Sequence, residues 1–216
     1  MFCCGGGPTY YIIDGIAQSD TTDCMFLLLS DPDDWSGQLV EFNSSTEVKT
    51  ELVAFSSYNK ILCHLRRYNN YLYVLYYDYL TSYAYIDIYT LAGSLVETLD
   101  ISAIVRTSFG DPTIDIVYPV KIAIYDENNI YLLTGTDFGE NFGYWLLRGW
   151  SCPISFCNYG DDFSSVQSIE SVGGDYIYVT GEFESNTWVK WFDRESGVLV
   201  GEQQMDDEIK ELYYER

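Results

Sequence analysis

Gly174-Asp175-Tyr176-Ile177-Tyr178-Val179-Thr180-Gly181 is the clearest member of a pattern that occurs four times in the chain. A polar turn residue is followed by any residue, then an aliphatic, an aromatic and a second aliphatic. The other three copies are Asp23-Cys24-Met25-Phe26-Leu27, Asn70-Tyr71-Leu72-Tyr73-Val74 and Asn128-Asn129-Ile130-Tyr131-Leu132. Their first residues lie 47, 58 and 47 positions apart. Short runs of β-branched and aromatic residues bounded by Asn, Asp and Gly read as strands.

Each copy is followed by a second strand-like run. These are Gln38 to Phe42, Tyr85 to Tyr89, Tyr144 to Leu147 and Trp188 to Phe192. A turn and a further strand come next, clearest at Leu95-Val96 after Ala92-Gly93-Ser94 and at Val198-Leu199-Val200 after Ser196-Gly197. Three copies are preceded by a hairpin partner, at 60–65, 120–125 and 165–172, joined by Asn- and Gly-containing turns that tolerate positive φ. Four strands per unit at a spacing of 40 to 60 residues predict an all-β chain, a small β-propeller of about four blades of four antiparallel strands. The first unit shows no obvious opening strand. The segment Glu208-Ile209-Lys210-Glu211-Leu212-Tyr213-Tyr214 falls where a fifth would begin. A strand there would close the ring on the first blade and cover its edge; the spacing of Ile209, Leu212 and Tyr213 also fits a helix. The expected organisation is an N-terminal arm and first strand over 1–22, then one propeller domain over 23–216. A β-sandwich or Greek-key barrel also uses many short antiparallel strands, but the regular spacing of the pattern argues against it.

The stretch Gly174 to Gly181, continued by Val189-Lys190-Trp191-Phe192-Asp193 and Gly197, resembles the propeller repeats of bacterial and viral surface proteins. Those repeats read Gly-Asn-Val-Tyr-Val-Thr-Gly, then an outer strand, then Asp-x-x-Gly. Asn129-Ile130-Tyr131-Leu132-Leu133-Thr134-Gly135 is a second partial match. The resemblance implies architecture, and propellers host many functions.

With 216 residues, 47% hydrophobic and 17% aromatic, the chain can bury a substantial core and is not disordered. Its 33 acidic residues against 11 basic give a net charge of -22, which argues against nucleic acid and anionic membrane as partners. No secretory signal pattern and no apolar run of spanning length are visible, so neither export by that route nor membrane insertion is expected.

Candidate chemistry is sparse. His64 is the one histidine, so two-histidine metal sites are excluded within a chain. A Ser-His-Asp triad could be built on it, but a strand histidine facing solvent or a neighbouring blade is the simpler reading. Cys152 and Cys157 have a gap compatible with a metal knuckle that Cys3 and Cys4 could complete; disulfides and free thiols are the other readings. Acidic clusters lie at Asp31, Asp33 and Asp34, at Asp161 and Asp162, and at Asp206, Asp207 and Glu208. Solvated turns explain them, no cofactor is required, and calcium is the ion they would take. Paired acids for glycan cleavage are open on composition alone. Trp35, Tyr71, Tyr73, Tyr85, Trp150, Trp188 and Trp191 are candidates for an interaction surface, since Tyr and Trp offer rigid apolar area with a polar tip. Cys3 and Cys4 are a candidate N-terminal anchor.

The absent catalytic set, the Tyr-rich strands and the surface-like composition without an export signal predict a non-enzymatic structural or interaction module. Its concrete form is a capsid, neck or tail accessory protein of a virion, made in the cytoplasm and binding other structural proteins in a multimeric assembly. A lectin or receptor-binding module taking glycans is the alternative, and a carboxylate-based glycan hydrolase or lyase the third reading.

Overall fold

The computed structural model describes residues 11–17, 23–31, 33, 36–56, 59–102, 119–126, 129–134, 143–148, 152–158, 165–170, 174–194 and 196–205. The chain divides into two compact units, Met1–Asp100 and Ile101–Arg216. Each contains two four-stranded antiparallel sheets in which neighbours in sequence are neighbours in space.

In the first unit, β1 (Tyr11–Ala17), β2 (Cys24–Ser30), β3 (Gly37–Asn43) and β4 (Val48–Phe55) form one sheet. The second is built from β5 (Lys60–Tyr68), β6 (Tyr71–Asp78), β7 (Tyr83–Thr90) and β8 (Leu95–Asp100). The second unit repeats the scheme with β9 (Pro119–Asp126), β10 (Asn129–Thr134), β11 (Gly143–Arg148) and β12 (Cys152–Asn158). Its other sheet comprises β13 (Ser165–Glu170), β14 (Tyr176–Phe183), β15 (Asn186–Asp193) and β16 (Leu199–Met205). The four copies of the pattern are therefore the second strands β2, β6, β10 and β14. None of the sheets is closed: each has two edges, and no strand pairing joins one sheet to another among the described residues.

The expected gap at the start of the first sheet is filled by β1, which pairs with β2 from Tyr11↔Ser30 to Ala17↔Met25. Its alternation was hidden because the register slips between Ile12 and Asp14, a bulge that puts one residue out of phase. The first sheet thus needs no strand from elsewhere for that place. The proposed closing segment lies outside the described residues.

Period-2 alternation orients the pattern identically in both units. In the first unit, Phe26 and Leu28 of β2 pack with Leu72, Val74 and Tyr76 of β6. In the second, Tyr131 and Leu133 of β10 pack with Ile177 and Val179 of β14. The aromatic of one copy thus meets the aliphatics of the next across each seam. Fully burying each such side chain stabilises the fold by about 1.5–3 kcal/mol.

The hairpins between third and fourth strands also repeat. Asn43 accepts the Thr46 N–H on its side-chain oxygen at 2.9 Å, and Asp193 accepts that of Ser196 at 2.7 Å. The residue after each cap donates its N–H to the carbonyl that opens the second strand, Ser44 to Asp23 and Arg194 to Asp175, both at 2.7 Å. The first residue of the repeated pattern is thus a structural latch. In the second sheet Gly93 takes φ +82°, and a Cβ there would lie 2.6 Å from the Leu52 carbonyl oxygen, so glycine is required twice over. The turn at Asn69 has φ 51°, as its Asn-Asn sequence predicts.

Candidate functional site

Three features could carry function: a buried histidine–carboxylate pair, a buried carboxylate among hydroxyls, and the outer strands.

His64 sits at a bulge in β5 and is 1% exposed. Its Nε2 lies 3.3 Å from Oδ2 of Asp14 in β1, so it faces the neighbouring sheet. Asp14 Oδ2 also accepts the Leu65 N–H at 2.8 Å, and Oδ1 accepts that of Gly15 at 2.8 Å. The carboxylate is a brace between the opening strands of two sheets, and burial keeps His64 from any substrate. Beside it, desolvation pushes the Cys63 thiol up to about 12, so it is an inert thiol at neutral pH. Among the described residues Cys24 and Cys63 are free.

Asp87 in β7 is buried. It accepts hydrogen bonds from Thr98 Oγ1 at 2.6 Å, Tyr89 OH at 3.0 Å and Tyr76 OH at 3.4 Å. Lys60 Nζ stands 3.7 Å from its Oδ2 and 4.0 Å above the Tyr76 ring. Burial, and then the negative charge of Asp87, raise the phenols of Tyr76 and Tyr89 well above the ordinary tyrosine range. Both stay protonated at accessible pH and donate to Asp87. With its oxygens engaged by side chains from all four strands of its own sheet, Asp87 is arranged to hold that sheet together.

The third feature recurs on the fourth strands. Val48 opens β4, Leu95 and Val96 open β8, and Val198, Leu199 and Val200 lead into β16, all exposed. Val48, Leu95 and Val198 are 55%, 56% and 62% exposed. Val48 and Leu95 open, and Val198 directly precedes, a strand that among the described residues is paired on one side. Exposed aliphatics on an open edge are an invitation to association unless something guards or covers them.

Among the described residues, the aromatics singled out from the sequence differ in burial and in the sheet face they take. Tyr73 is 3% exposed and belongs to the core. Tyr71 and Tyr85 are half-buried on opposite faces of their sheet, the latter stacked on Tyr76 with centroids 5.3 Å apart. Trp188 packs against the core of the second unit, whereas Trp191, on the other face of β15, lies over Gly201. Alternation along a strand sends residues three or five apart to opposite faces, so proximity in sequence was no guide here. Trp35, Trp150, Cys3 and Cys4 lie outside the described residues, as do Asp34 and the acidic clusters at 161–162 and 206–208. Asp31 is buried and accepts the Asp33 N–H at 2.8 Å, the geometry of a capped turn. Cys152 and Cys157 stand at the two ends of β12, roughly 15 Å apart along an extended strand. Among the described residues no three His, Cys, Asp or Glu side chains gather as a metal site, and no helix is long and apolar enough to cross a membrane.

Sequence comparison finds no matching family model and no matching curated protein. Solved structures do match. The Malassezia sympodialis allergen Mala s 1 is similar over 87% of this chain and 61% of its own, at TM-score 0.61 and 9% identity. The Dos1 propeller matches over 91% of this chain and 49% of its own, at 0.54 and 11%. The nidogen/laminin complex matches over 77% and 57%, at 0.50 and 12%. The likeness is one of fold. It supports a propeller-like arrangement, and the chain spans about half the length of the solved structures it matches.

Proposed function

We propose that this chain is a non-enzymatic, propeller-type interaction module of about four blades that works inside a larger assembly and docks through its outer strands. The observation that carries the reading is the recurrence of exposed aliphatics at the heads of β4, β8 and β16. A residue class that recurs at one place in a repeat, against the tendency of edges to be polar, marks contact surface. The engagement of Asp14, His64 and Asp87 by internal partners supports a structural role for the buried polar groups. The net charge of -22 favours basic partner surfaces and rapid, salt-dependent encounter. A virion accessory protein is the concrete form of this proposal.

Native sedimentation of the source material tests it. Migration with a particle of megadalton mass is expected, and substitution of Leu95 and Val198 by Asp should release the chain from it. Migration as a free 25 kDa species would overturn the reading.

A further inference from the structure

We infer that the open edge of β16 accepts an extended segment of a partner protein, in which lysine or arginine alternates with aliphatic residues, as a fifth strand of its sheet. This rests on the interaction reading above and names the partner class.

Of the outer strands with exposed aliphatic heads, β16 is the least guarded. β4 carries Lys49, whose ammonium binds Gln38 at 2.9 Å, a charged edge of the kind that discourages pairing. β8 is six residues long, and its Thr98 is tied inward to Asp87. β16 has seven residues with no Lys, Arg or Pro, and it is preceded by exposed Val198. Among the described residues, its main-chain groups on the side away from β15 have no strand partner. An extended segment supplies them with hydrogen bonds, while alternate side chains meet Leu199 and Val200.

Charge selects the occupant. Residues 165–205 contain seven Asp or Glu and two Lys or Arg. Both bases are turned inward: Lys190 is buried 3.1 Å from Glu202, and the Arg194 guanidinium lies 3.9 Å over the Tyr125 ring. The sheet thus presents acids to solvent, Glu184 among them. A basic strand gains on approach, whereas a second copy of this chain would bring acid against acid.

Hydrogen exchange on the full chain tests the inference, with three synthetic ten-residue peptides as probes. One alternates lysine and valine, one glutamate and valine, and one lysine and proline, which carries the same charge but cannot pair as a strand. The lysine–valine peptide should slow exchange over residues 199–205 at least tenfold, and the other two should leave it unchanged. A Val198→Lys/Val200→Lys variant, altered at two exposed positions, should lose that protection. Equal protection by the lysine–proline peptide, protection confined to other strands, or protection that grows with protein concentration without peptide would each overturn the proposal. Sedimentation with a large particle but no protection of β16 removes this inference and leaves the interaction reading standing. Protection of β16 in a chain that sediments free does the reverse.

Discussion

The seams of the two units share one register yet hold opposite buried charges. Val74 in β6 and Val179 in β14 occupy the same place in the repeated pattern, and their partners on the third strand are Asp87 and Lys190. The fourth strand then places Thr98 opposite Asp87 and Glu202 opposite Lys190. A charge at this position is tolerated in either sign because the outer strand carries its partner. The two solutions differ in depth. Asp87 is surrounded by hydroxyls that have no other task, whereas the Glu202 side chain is 46% exposed and keeps contact with water. Burying an ion is costly unless its bonds are complete, so the two sites should respond very differently to the loss of one partner.

The largest effect is expected from Asp87→Ala. It leaves the hydroxyls of Tyr76, Tyr89 and Thr98 without their acceptor and the Lys60 ammonium without its counter-ion. A loss of about 3–5 kcal/mol in unfolding free energy is expected from a broken buried pair with orphaned donors. Denaturant titration measures it. A loss below about 1 kcal/mol would mean that the hydroxyls find water and that the two seams are equivalent after all.

Alkaline pH separates the seams next. The phenols of Tyr76 and Tyr89 are raised in the folded state by burial and then by Asp87. The unfolded chain therefore releases these protons first, from about pH 10 upward, and stability falls as pH rises beyond that point. Below about pH 10 both states hold the protons and no dependence arises from these groups. Each phenol contributes a slope of up to about 1.4 kcal/mol per pH unit. A Tyr76→Phe/Tyr89→Phe variant should lose less stability between pH 10 and pH 11 than the parent, measured as the change in denaturation midpoint. Parallel curves for the two proteins would show that neither phenol is held protonated by the seam.

Much of this architecture was legible in the sequence. The spacing of Asp23, Asn70, Asn128 and Asp175 gave the second strands, and Asp23 and Asp175 prove to be hydrogen-bond latches of their hairpins. β1 falls within the expected arm and first strand over 1–22, but its pairing as the opening strand of the first sheet was not legible because Asp14 and Gly15 interrupt its apolar run at a bulge. Asp87 and Lys190 were in view within strand-like runs, but a single strand cannot reveal a partner one strand away. Tyr73 was misplaced on a candidate surface for the opposite reason. Composition counts tyrosines, whereas exposure depends on which face each one takes, and Tyr73 takes a buried one. The outer aliphatics were readable as strand starts after turns; their exposure needed the sheet edge.

The smallest effect is expected at Lys190, and it bears most directly on the contrast between the seams. Lys190→Met keeps the length and volume of the side chain while removing the buried ammonium. Glu202 then loses its partner at 3.1 Å but can turn its carboxylate into solvent, an escape that the shell around Asp87 lacks. The removed Coulomb attraction is offset by the desolvation that the ammonium no longer suffers, so a change within about 1 kcal/mol of zero is expected. A double variant with Glu202→Gln measures how much of any change comes from the Lys190–Glu202 contact itself. A loss of about 3 kcal/mol or more from Lys190→Met alone would place this cation in a network as deep as that of Asp87. The sign of the buried charge, rather than its access to water, would then be all that distinguishes the two seams.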